Sequence, residues 1–358
     1  NMSSVSAVVS SSGRVFSIID EGPTASIYLP ARWSLAARDA YSGVLLWKVP
    51  IHEWHARLFP LKSGPQQLPR RLVAAGDRVY VTLGIDAPVS QLDAATSEML
   101  QTFPDTEHAE ELLYLDGKLV VVVNTESAVK PFRGRTPASR PGFVLDETAV
   151  NLAGGRSVVM LDTQTGKAVW KTQPGAVVPL TVAADRRSVF FLRGAALAAA
   201  DMNDGKDIWT EVVARKPVRF GTASSPTLLV HKDVVCLALG GELTARDAAT
   251  GRALWSAACA TAGYKAPASI FVVDGLVWDV AAGGEPYRPG SDLSKINRTY
   301  TGYDLRTGEV VKEIPVSSKH GYAIMHHRCH VPRASGRSII TSFPGIEFFD
   351  VETGRSTH

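Results

Sequence analysis

The sequence predicts an all-β protein, a β-propeller of four-stranded antiparallel blades with seven recognisable blades and room for an incomplete eighth. The first observation is a short unit that recurs along the chain: an Asp ends one strand, a Gly four residues later lets the chain reverse, and a bulky residue follows on the next strand. The second is the spacing of 39 to 69 residues between successive copies, scattered around the length of one propeller blade. The third is the turn residues that separate short apolar runs, as in antiparallel strands.

Each residue of the recurring unit has a physical role in the turn, and the clearest copy runs from Ala245 to Trp255. The Asp carboxylate accepts hydrogen bonds from the following backbone N–H groups, and the Gly supplies a positive φ. The Asp residues of the seven copies are Asp39, Asp93, Asp162, Asp201, Asp247, Asp304 and Asp350. Eight residues after the Asp, four copies carry Trp47, Trp170, Trp209 and Trp255, and the other three carry Gln101, Lys312 and His358. We expect this side chain to fill the wedge between neighbouring blades.

Seven blades follow one another and make residues 1–358 a single predicted propeller domain. Their predicted bounds are about 5–51, 70–103, 109–173, 179–212, 223–258, 268–315 and 323–358. Because a strand starts at once near Val5 and the last copy stops at His358, we expect the chain to be a piece of a longer polypeptide.

The long connections of the predicted blades all belong to one face of the disc, called here the loop-rich face. They join either the second strand to the third or the last strand to the next blade, and both kinds of connection emerge on the same side. These segments are 21–32, 126–155 and 283–298 within blades, and 52–69, 213–223 and 316–322 between blades. Function in repeat rings is usually carried by loops, so candidate sites are sought on this face.

Composition excludes some classes of function. A net charge of +3 gives no general affinity for polyanions, so we expect no nucleic-acid partner. No apolar run is long enough for a transmembrane segment, and no secretion signal is present in this chain. Cys236, Cys259 and Cys329 are widely spaced, which leaves any disulfide pairing among them open.

The unit Ala-x-Asp-x-x-Thr-Gly-x-x-x-Trp resembles the repeat of the quinoprotein-type, or PQQ-like, β-propeller family, and the resemblance covers essentially the whole chain. That family includes quinoprotein alcohol dehydrogenases and the lipoprotein of the outer-membrane protein assembly machinery. More narrowly, residues 20–23, 61–65, 68–73 and 76–84 are similar to planctomycete propellers labelled outer-membrane biogenesis proteins. The resemblance implies a periplasmic or extracellular protein, and repeats of this type occur more often in non-catalytic propellers.

Cofactors follow from the same resemblance. Quinone-dependent members pair a disulfide of adjacent cysteines with a stacking Trp and a calcium site. This sequence has no adjacent cysteines, so no position takes over the quinone site and PQQ is not expected. A divalent metal ion stays open as an alternative.

The stretch 319–330 is the strongest local anomaly. Inner strands of other blades are apolar, as in 228–230 and 270–273, whereas three His and an Arg stand at the position predicted for an inner strand of blade 7. Acid–base chemistry there would use His320, Tyr322, His326 and His327. The alternative is that these residues line a wet channel and bind water.

Histidines of two blades could also hold a metal. The candidate ligands are His52, His55 and His330, since blades 1 and 7 are neighbours if the ring closes with seven. The local pattern is not the H-E-x-x-H zinc signature, because the second His comes one residue too early. The alternative is a set of ordinary polar loop residues.

Basic and aromatic side chains gather on the loop-rich face. The candidate ligand-binding residues are Arg70, Arg71, Arg133, Arg135, Lys216, Arg219, Tyr264, Lys265, Arg288 and Arg328. Arg forks recognise carboxylate or sulfate, and Tyr rings stack on sugars, so the predicted partner is a protein or an acidic glycan. The alternative is that loops are commonly charged.

Three functions from different classes remain. The first is a non-catalytic binding or scaffolding propeller that uses the loop-rich face. The second is a lyase or metal-assisted enzyme acting on an acidic polysaccharide, and the third is a quinone-dependent dehydrogenase. An enzyme requires the His and Arg side chains to meet within about 3 Å of one another in a pocket.

Overall fold

The protein is a seven-bladed β-propeller of four-stranded antiparallel blades, as the sequence predicts. The computed structural model describes residues 5–25, 29–54, 68–127, 154–218, 226–259, 269–280, 298–316, 332–341 and 346–357. Each sheet contains four strands that are consecutive in the chain and pair in chain order. Every described pairing is antiparallel, as expected of strands joined by short turns.

The strands are numbered in chain order. Blades 1 and 2 contain β1 (Val5–Ser11), β2 (Arg14–Asp20), β3 (Trp33–Asp39), β4 (Leu45–Ile51), β5 (Leu72–Ala75), β6 (Arg78–Thr82), β7 (Val89–Asp93) and β8 (Met99–Thr102). Blades 3 and 4 contain β9 (Ala109–Leu115), β10 (Lys118–Asn124), β11 (Arg156–Asp162), β12 (Ala168–Lys171), β13 (Val177–Ala184), β14 (Ser188–Arg193), β15 (Ala196–Asp201) and β16 (Asp207–Val212).

The remaining three blades follow in the same way. Blades 5 and 6 contain β17 (Thr227–His231), β18 (Val234–Leu239), β19 (Glu242–Asp247), β20 (Ala253–Ala258), β21 (Ile270–Val273), β22 (Leu276–Asp279), β23 (Arg298–Asp304) and β24 (Val310–Val316). Blade 7 contains β25 (Arg333–Ser335), β26 (Ser338–Thr341), β27 (Glu347–Asp350) and β28 (Ser356–Thr357). A short 3₁₀ turn, η1 (Leu68–Arg71), precedes β5.

The chain forms two compact units. The first comprises Asn1–Val182, Arg186–Ser188 and Asp201–Lys206, and the second comprises Ala183–Asp185, Val189–Ala200 and Asp207–His358. Within the first unit β1 contacts β5 and β5 contacts β9, and within the second β17 contacts β21 and β21 contacts β25. In each unit, therefore, successive blades meet through their first strands, which are the inner strands of a propeller.

The turn of the repeat has the predicted chemistry. In blade 5, the carboxylate of Asp247 accepts hydrogen bonds from the backbone N–H of Thr250 at 2.9 Å and from its hydroxyl at 2.8 Å. The side-chain hydrogen bond from Thr250 is the largest cause that lowers the pKa of Asp247. Gly251 closes the turn with a φ of 74° and donates its N–H to the Asp247 carbonyl at 2.9 Å. Local hydrogen bonds thus hold the turn in its conformation.

In the copies whose bulky residue is described, this residue reaches the next blade. Trp47 Nε1 donates to the Ala94 carbonyl at 3.0 Å, and Trp255 Nε1 donates to the Leu305 carbonyl at 3.0 Å. Ala94 and Leu305 each directly follow the Asp of the next copy. Gln101, which stands where other copies have Trp, makes the same kind of bond through its amide. The repeat therefore encodes a strand-to-turn link between neighbouring blades.

The turn glycines are also required by this contact. A Cβ at Gly251 would lie 2.7 Å from the ring of Trp209, and a Cβ at Gly308 would lie 2.5 Å from the ring of Trp255. Glycine is required at these positions for two reasons: φ is positive, and a Trp ring approaches the backbone closely.

Cys236 and Cys259 are buried thiols, and Cys329 lies outside the described residues. The first described strand of the seventh sheet is β25 (Arg333–Ser335), which pairs with β26 across the turn at Gly336. The His-rich stretch 319–330 lies outside the described residues.

Candidate functional site

A cluster of charged side chains lies in the first unit where the inner strands of blades 2 and 3 begin. Arg70 and Arg71 end η1, and Glu110 and Glu111 open β9. Asp86 lies in the connection between β6 and β7. All of these positions belong to the ends of strands that face the loop-rich side, so the chain order itself brings them to that face.

Arg71 is fully buried, with 0% of its surface exposed. Its Nη1 donates to the Ile85 carbonyl at 2.6 Å, and its guanidinium lies 6.0 Å from the centre of the Trp54 ring. Nε and Nη2 have no hydrogen-bond partner among the described residues. Burial lowers the pKa of Arg71 to about 10, and the charges of Glu110 and Asp86 act in the opposite direction. The side chain therefore remains a buried cation at neutral pH.

Glu110 is neutralised by a neighbouring Arg. Arg156 Nε donates to its carboxylate at 2.6 Å, and Asn124 donates an amide N–H at 2.9 Å. The pairing of β9 with β10 skips Glu110, because Val122 lies opposite Glu111 whereas Val123 lies opposite Ala109. Such a bulge turns a side chain away from the regular alternation of a strand. The result is a buried ion pair that joins strands of one blade.

Glu111 is the titratable member of the cluster. It is 2% exposed, its Oε1 lies 3.7 Å from Arg70 Nη1, and its Oε2 has no hydrogen-bond partner in the described part of the chain. Burial raises the pKa of Glu111 to about 7, although Arg70 and the nearby backbone N–H groups of Val182 and Leu180 act to lower it. The carboxyl therefore changes charge near neutral pH.

Asp86 adds a second acidic group beside Arg71. Ser127 Oγ donates to Asp86 Oδ2 at 2.6 Å, and His108 Nε2 lies 3.7 Å from Oδ1. Opposite charges thus alternate through the cluster, with the half-exposed Arg70 guanidinium at its accessible end. The arrangement leaves one cation half exposed beside a buried carboxyl that can take up a proton.

Four of the predicted site residues fall within the described chain. Arg70 and Arg71 meet in the cluster, although Arg71 is buried rather than presented at a loop surface. His52 is exposed after β4 in the first unit, and Lys216 is exposed after β16 in the second. The others lie outside the described residues: His55, Arg133, Arg135, Arg219, Tyr264, Lys265, Arg288, His320, Tyr322, His326, His327, Arg328 and His330.

The acidic half of the cluster was not predicted from the sequence. Inner strands were expected to be apolar, but β9 carries Glu110 and Glu111 and buries both. Two adjacent carboxylates at the start of an apolar strand are the same kind of anomaly as the His-rich stretch. This departure from the apolar pattern could have indicated Glu110 and Glu111 as site residues. The partner Arg156 was not recognisable, because it lies 46 residues from Glu110.

Within the described ranges, no group of three or more His, Cys, Asp or Glu side chains is arranged to hold a metal ion. The same residues contain no helix long and apolar enough to cross a membrane.

Comparison with known proteins adds to this geometry. The family model described as outer membrane protein assembly factor BamB matches residues 133–328. Outer membrane protein assembly factor BamB of Burkholderia pseudomallei (strain K96243) is 27% identical over 218 residues, which cover 58% of this chain and 51% of the relative. The match thus spans about half the length of that curated relative.

Solved structures share the fold. BamB from Moraxella catarrhalis superimposes with a TM-score of 0.51 at 14% identity, covering 91% of this chain and 76% of that one. Quinohemoprotein alcohol dehydrogenase from Comamonas testosteroni gives a TM-score of 0.58 at 13% identity, covering 98% and 66%. The computationally designed Ika8 protein gives 0.60 at 14% identity, covering 100% and 87%.

The family match extends over more than half of the chain, and the fold agrees with it from the first blade to the seventh. The chain therefore belongs to the family of outer membrane protein assembly factor BamB, a family of PQQ-like β-propellers.

Proposed function

We propose that this propeller is a non-catalytic scaffold that binds a protein partner through its loop-rich face. The family carries the proposal, since its members are named for outer membrane protein assembly. The charge cluster supports it, because its ion pairs are internal and fix the start of the inner strands, while Arg70 remains half exposed at the surface. A cation held in place beside a buried carboxyl suits an acidic patch on a folded partner.

We place this activity in the periplasm. The family and its relative from Burkholderia pseudomallei are outer membrane protein assembly factors, which supports this location. The test is labelling of the protein in its native host with a reagent that crosses only the outer membrane. Labelling without disruption of the inner membrane is expected, and labelling only after its disruption would refute the location.

Site-specific photo-crosslinking in the native host tests the partner surface. A photoreactive residue replaces His52 or Lys216, which are exposed on the loop-rich face, one in each unit. The matched controls replace Tyr41 and Arg306, which are exposed in the Asp-to-Gly turns of the opposite face. Crosslinks to one protein from the first pair but not from the second are expected. Equal crosslinking from both faces, or crosslinks only from the control positions, would refute the proposal.

Arg70 gives the test a charge-specific arm. Arg70→Glu should weaken crosslinking to that partner, since a rim charge acts mainly on the rate of association. It should also make the crosslinking yield less dependent on salt concentration. Arg306→Glu is the control, because Arg306 is also an exposed cation but lies on the opposite face.

The enzymatic alternative on an acidic polysaccharide rests on His320, Tyr322, His326 and His327, which lie outside the described residues. The family is one of outer membrane protein assembly factors, which favours a protein partner. The scaffold is therefore the function that the geometry supports best.

A further inference from the structure

An open groove of about 390 Å³ lies in the second unit, between the end of blade 4 and the sheet of blade 5. It is separate from the charge cluster of the first unit. One wall is formed by Val212 and Val213, where β16 ends. The other is formed by residues of β18, β19 and β20. Its length therefore follows the strands of blade 5.

The groove exists because the two faces of the blade 5 sheet differ. On β19, Leu243 and Ala245 pack against residues of blade 6 and are fully buried. Side chains alternate along a strand, so the residues between them point to the opposite face. Glu242, Thr244 and Arg246 line the groove from that face.

The walls of the groove are apolar in part. Val212 is 75% exposed, which is a large exposure for an aliphatic side chain that faces a concave surface. Leu237, Leu239 and Leu254 also contribute to the lining. A ligand that buries this surface must therefore carry apolar side chains of its own.

Arg246 gives the groove a specific polar feature. Its Nη1 donates to the Gly251 carbonyl at 2.8 Å, and Glu211 Oε2 lies 3.9 Å away with 47% of the glutamate side chain exposed. Only 14% of the Arg246 side chain is exposed, and its buried Nε has no hydrogen-bond partner among the described residues. A carboxylate at the exposed part of the guanidinium would form a charge-assisted hydrogen bond with this cation.

We propose that this groove binds an extended peptide segment of a protein partner, with an acidic side chain against Arg246 and apolar side chains against the aliphatic wall. The exposed Glu242 lies on the same face of β19 as Arg246 and four residues away, which is about 13 Å along a strand. A basic side chain four positions from the acidic one would therefore face Glu242. The charge pattern of the groove sets both the sequence and the direction of the bound segment.

The proposal does not depend on a partner at the loop-rich face, and a defined probe tests it. The probe is a fluorescein-labelled ten-residue peptide of alternating valine, with one glutamate and a lysine four positions later. Its affinity for the purified full chain is measured by fluorescence anisotropy. Replacing the glutamate of the peptide by glutamine should weaken binding by about tenfold. In the variant Arg246→Gln the two peptides should bind equally.

A pair of matched variants tests the location. Ser256 lines the groove and is exposed, and Thr102 is its counterpart in blade 2, nine residues after the Asp of its own copy. Ser256→Trp fills the groove and should weaken binding of the glutamate peptide by about tenfold or more, whereas Thr102→Trp should leave it within about twofold. Thermal unfolding of both variants verifies that the blades remain folded.

Three results would overturn the proposal. They are no binding of the glutamate peptide up to about 1 mM, equal affinity of the glutamate and glutamine peptides for the unmodified protein, and equal effects of Ser256→Trp and Thr102→Trp. Should Ser256→Trp fail to fold, Arg246→Gln still decides the result, because the shorter, uncharged glutamine removes the cation that distinguishes the two peptides.

Discussion

Replacing Glu111 by Gln should make the protein more stable at alkaline pH and flatten the dependence of its stability on pH. Burial raises the pKa of Glu111 from 4.5 in the unfolded chain to about 7 in the folded protein. The folded state therefore holds a proton that the unfolded state releases between these two values. Its stabilising effect is complete below the lower pKa and is lost as pH rises through the upper one.

The size of the effect follows from that difference. One pKa unit corresponds to about 1.4 kcal/mol, so raising the pH from well below 4.5 to well above 7 removes about 3 kcal/mol of stability through this one group. A glutamine keeps the shape of the side chain and never ionises. At about pH 8 we expect Glu111→Gln to be more stable than the unmodified protein by up to about 3 kcal/mol, with little difference at about pH 4.

Urea denaturation followed by circular dichroism at a series of pH values measures this change. Glu309→Gln is the control, because Glu309 is an exposed carboxyl on a turn of blade 6, and its curve should run parallel to that of the unmodified protein. The reasoning would be refuted if the stability of Glu111→Gln followed pH in parallel with that of the unmodified protein, or if the variant were less stable at alkaline pH. In either case the ionised Glu111 carboxylate would not be destabilised by burial.

Three further predictions concern single residues. Gly251→Ala and Gly240→Ala both place Ala at a positive φ, at a cost of about 1–2 kcal/mol. Only the Cβ at position 251 would meet a ring, at 2.7 Å. Gly251→Ala should therefore lose clearly more free energy of unfolding than Gly240→Ala in chemical denaturation. Equal losses would refute the close approach. Arg156→Met leaves Glu110 buried without its cation and should cost about 3–5 kcal/mol in the same assay; a loss below about 1 kcal/mol would contradict the pair. Burial raises the pKa of Cys236 to about 12, so at about pH 8 a thiol reagent should modify it only on unfolding, and rapid labelling of the native protein would contradict its burial.

The fold could be predicted because its defining interactions are local in sequence. The Asp, the turn residue and the bulky residue of each unit lie within nine positions, so the turn and the strand after it can be recognised from the sequence. Even the copy without a Gly keeps the geometry, since Ser97 adopts a φ of 67°. In that copy Gln101 replaces Trp, and its bond to the Thr163 carbonyl was not foreseen, because an amide lacks the ring on which the prediction relied.

The site was predicted only in part, because its bonds are distant in sequence. Arg70 and Arg71 were found by their charge at the start of a strand. The burial of Arg71 was not predicted, since it depends on Trp54 and on the neighbouring blade. Glu110 reaches Arg156 through the pairing of β9, β10 and β11, a register that no spacing of residues in the sequence discloses.

Equilibrium unfolding of Trp170→Ala tests the central claim, that the residue after each Asp-to-Gly turn holds neighbouring blades together. Trp170 is 9% exposed, and its Nε1 donates to the Met202 carbonyl at 3.0 Å. We predict a loss of about 3–5 kcal/mol for Trp170→Ala, against about 1 kcal/mol for Trp170→Phe, which removes the hydrogen bond but keeps a ring. Unfolding of the Ala variant at the same denaturant concentration as the unmodified protein would contradict the claim.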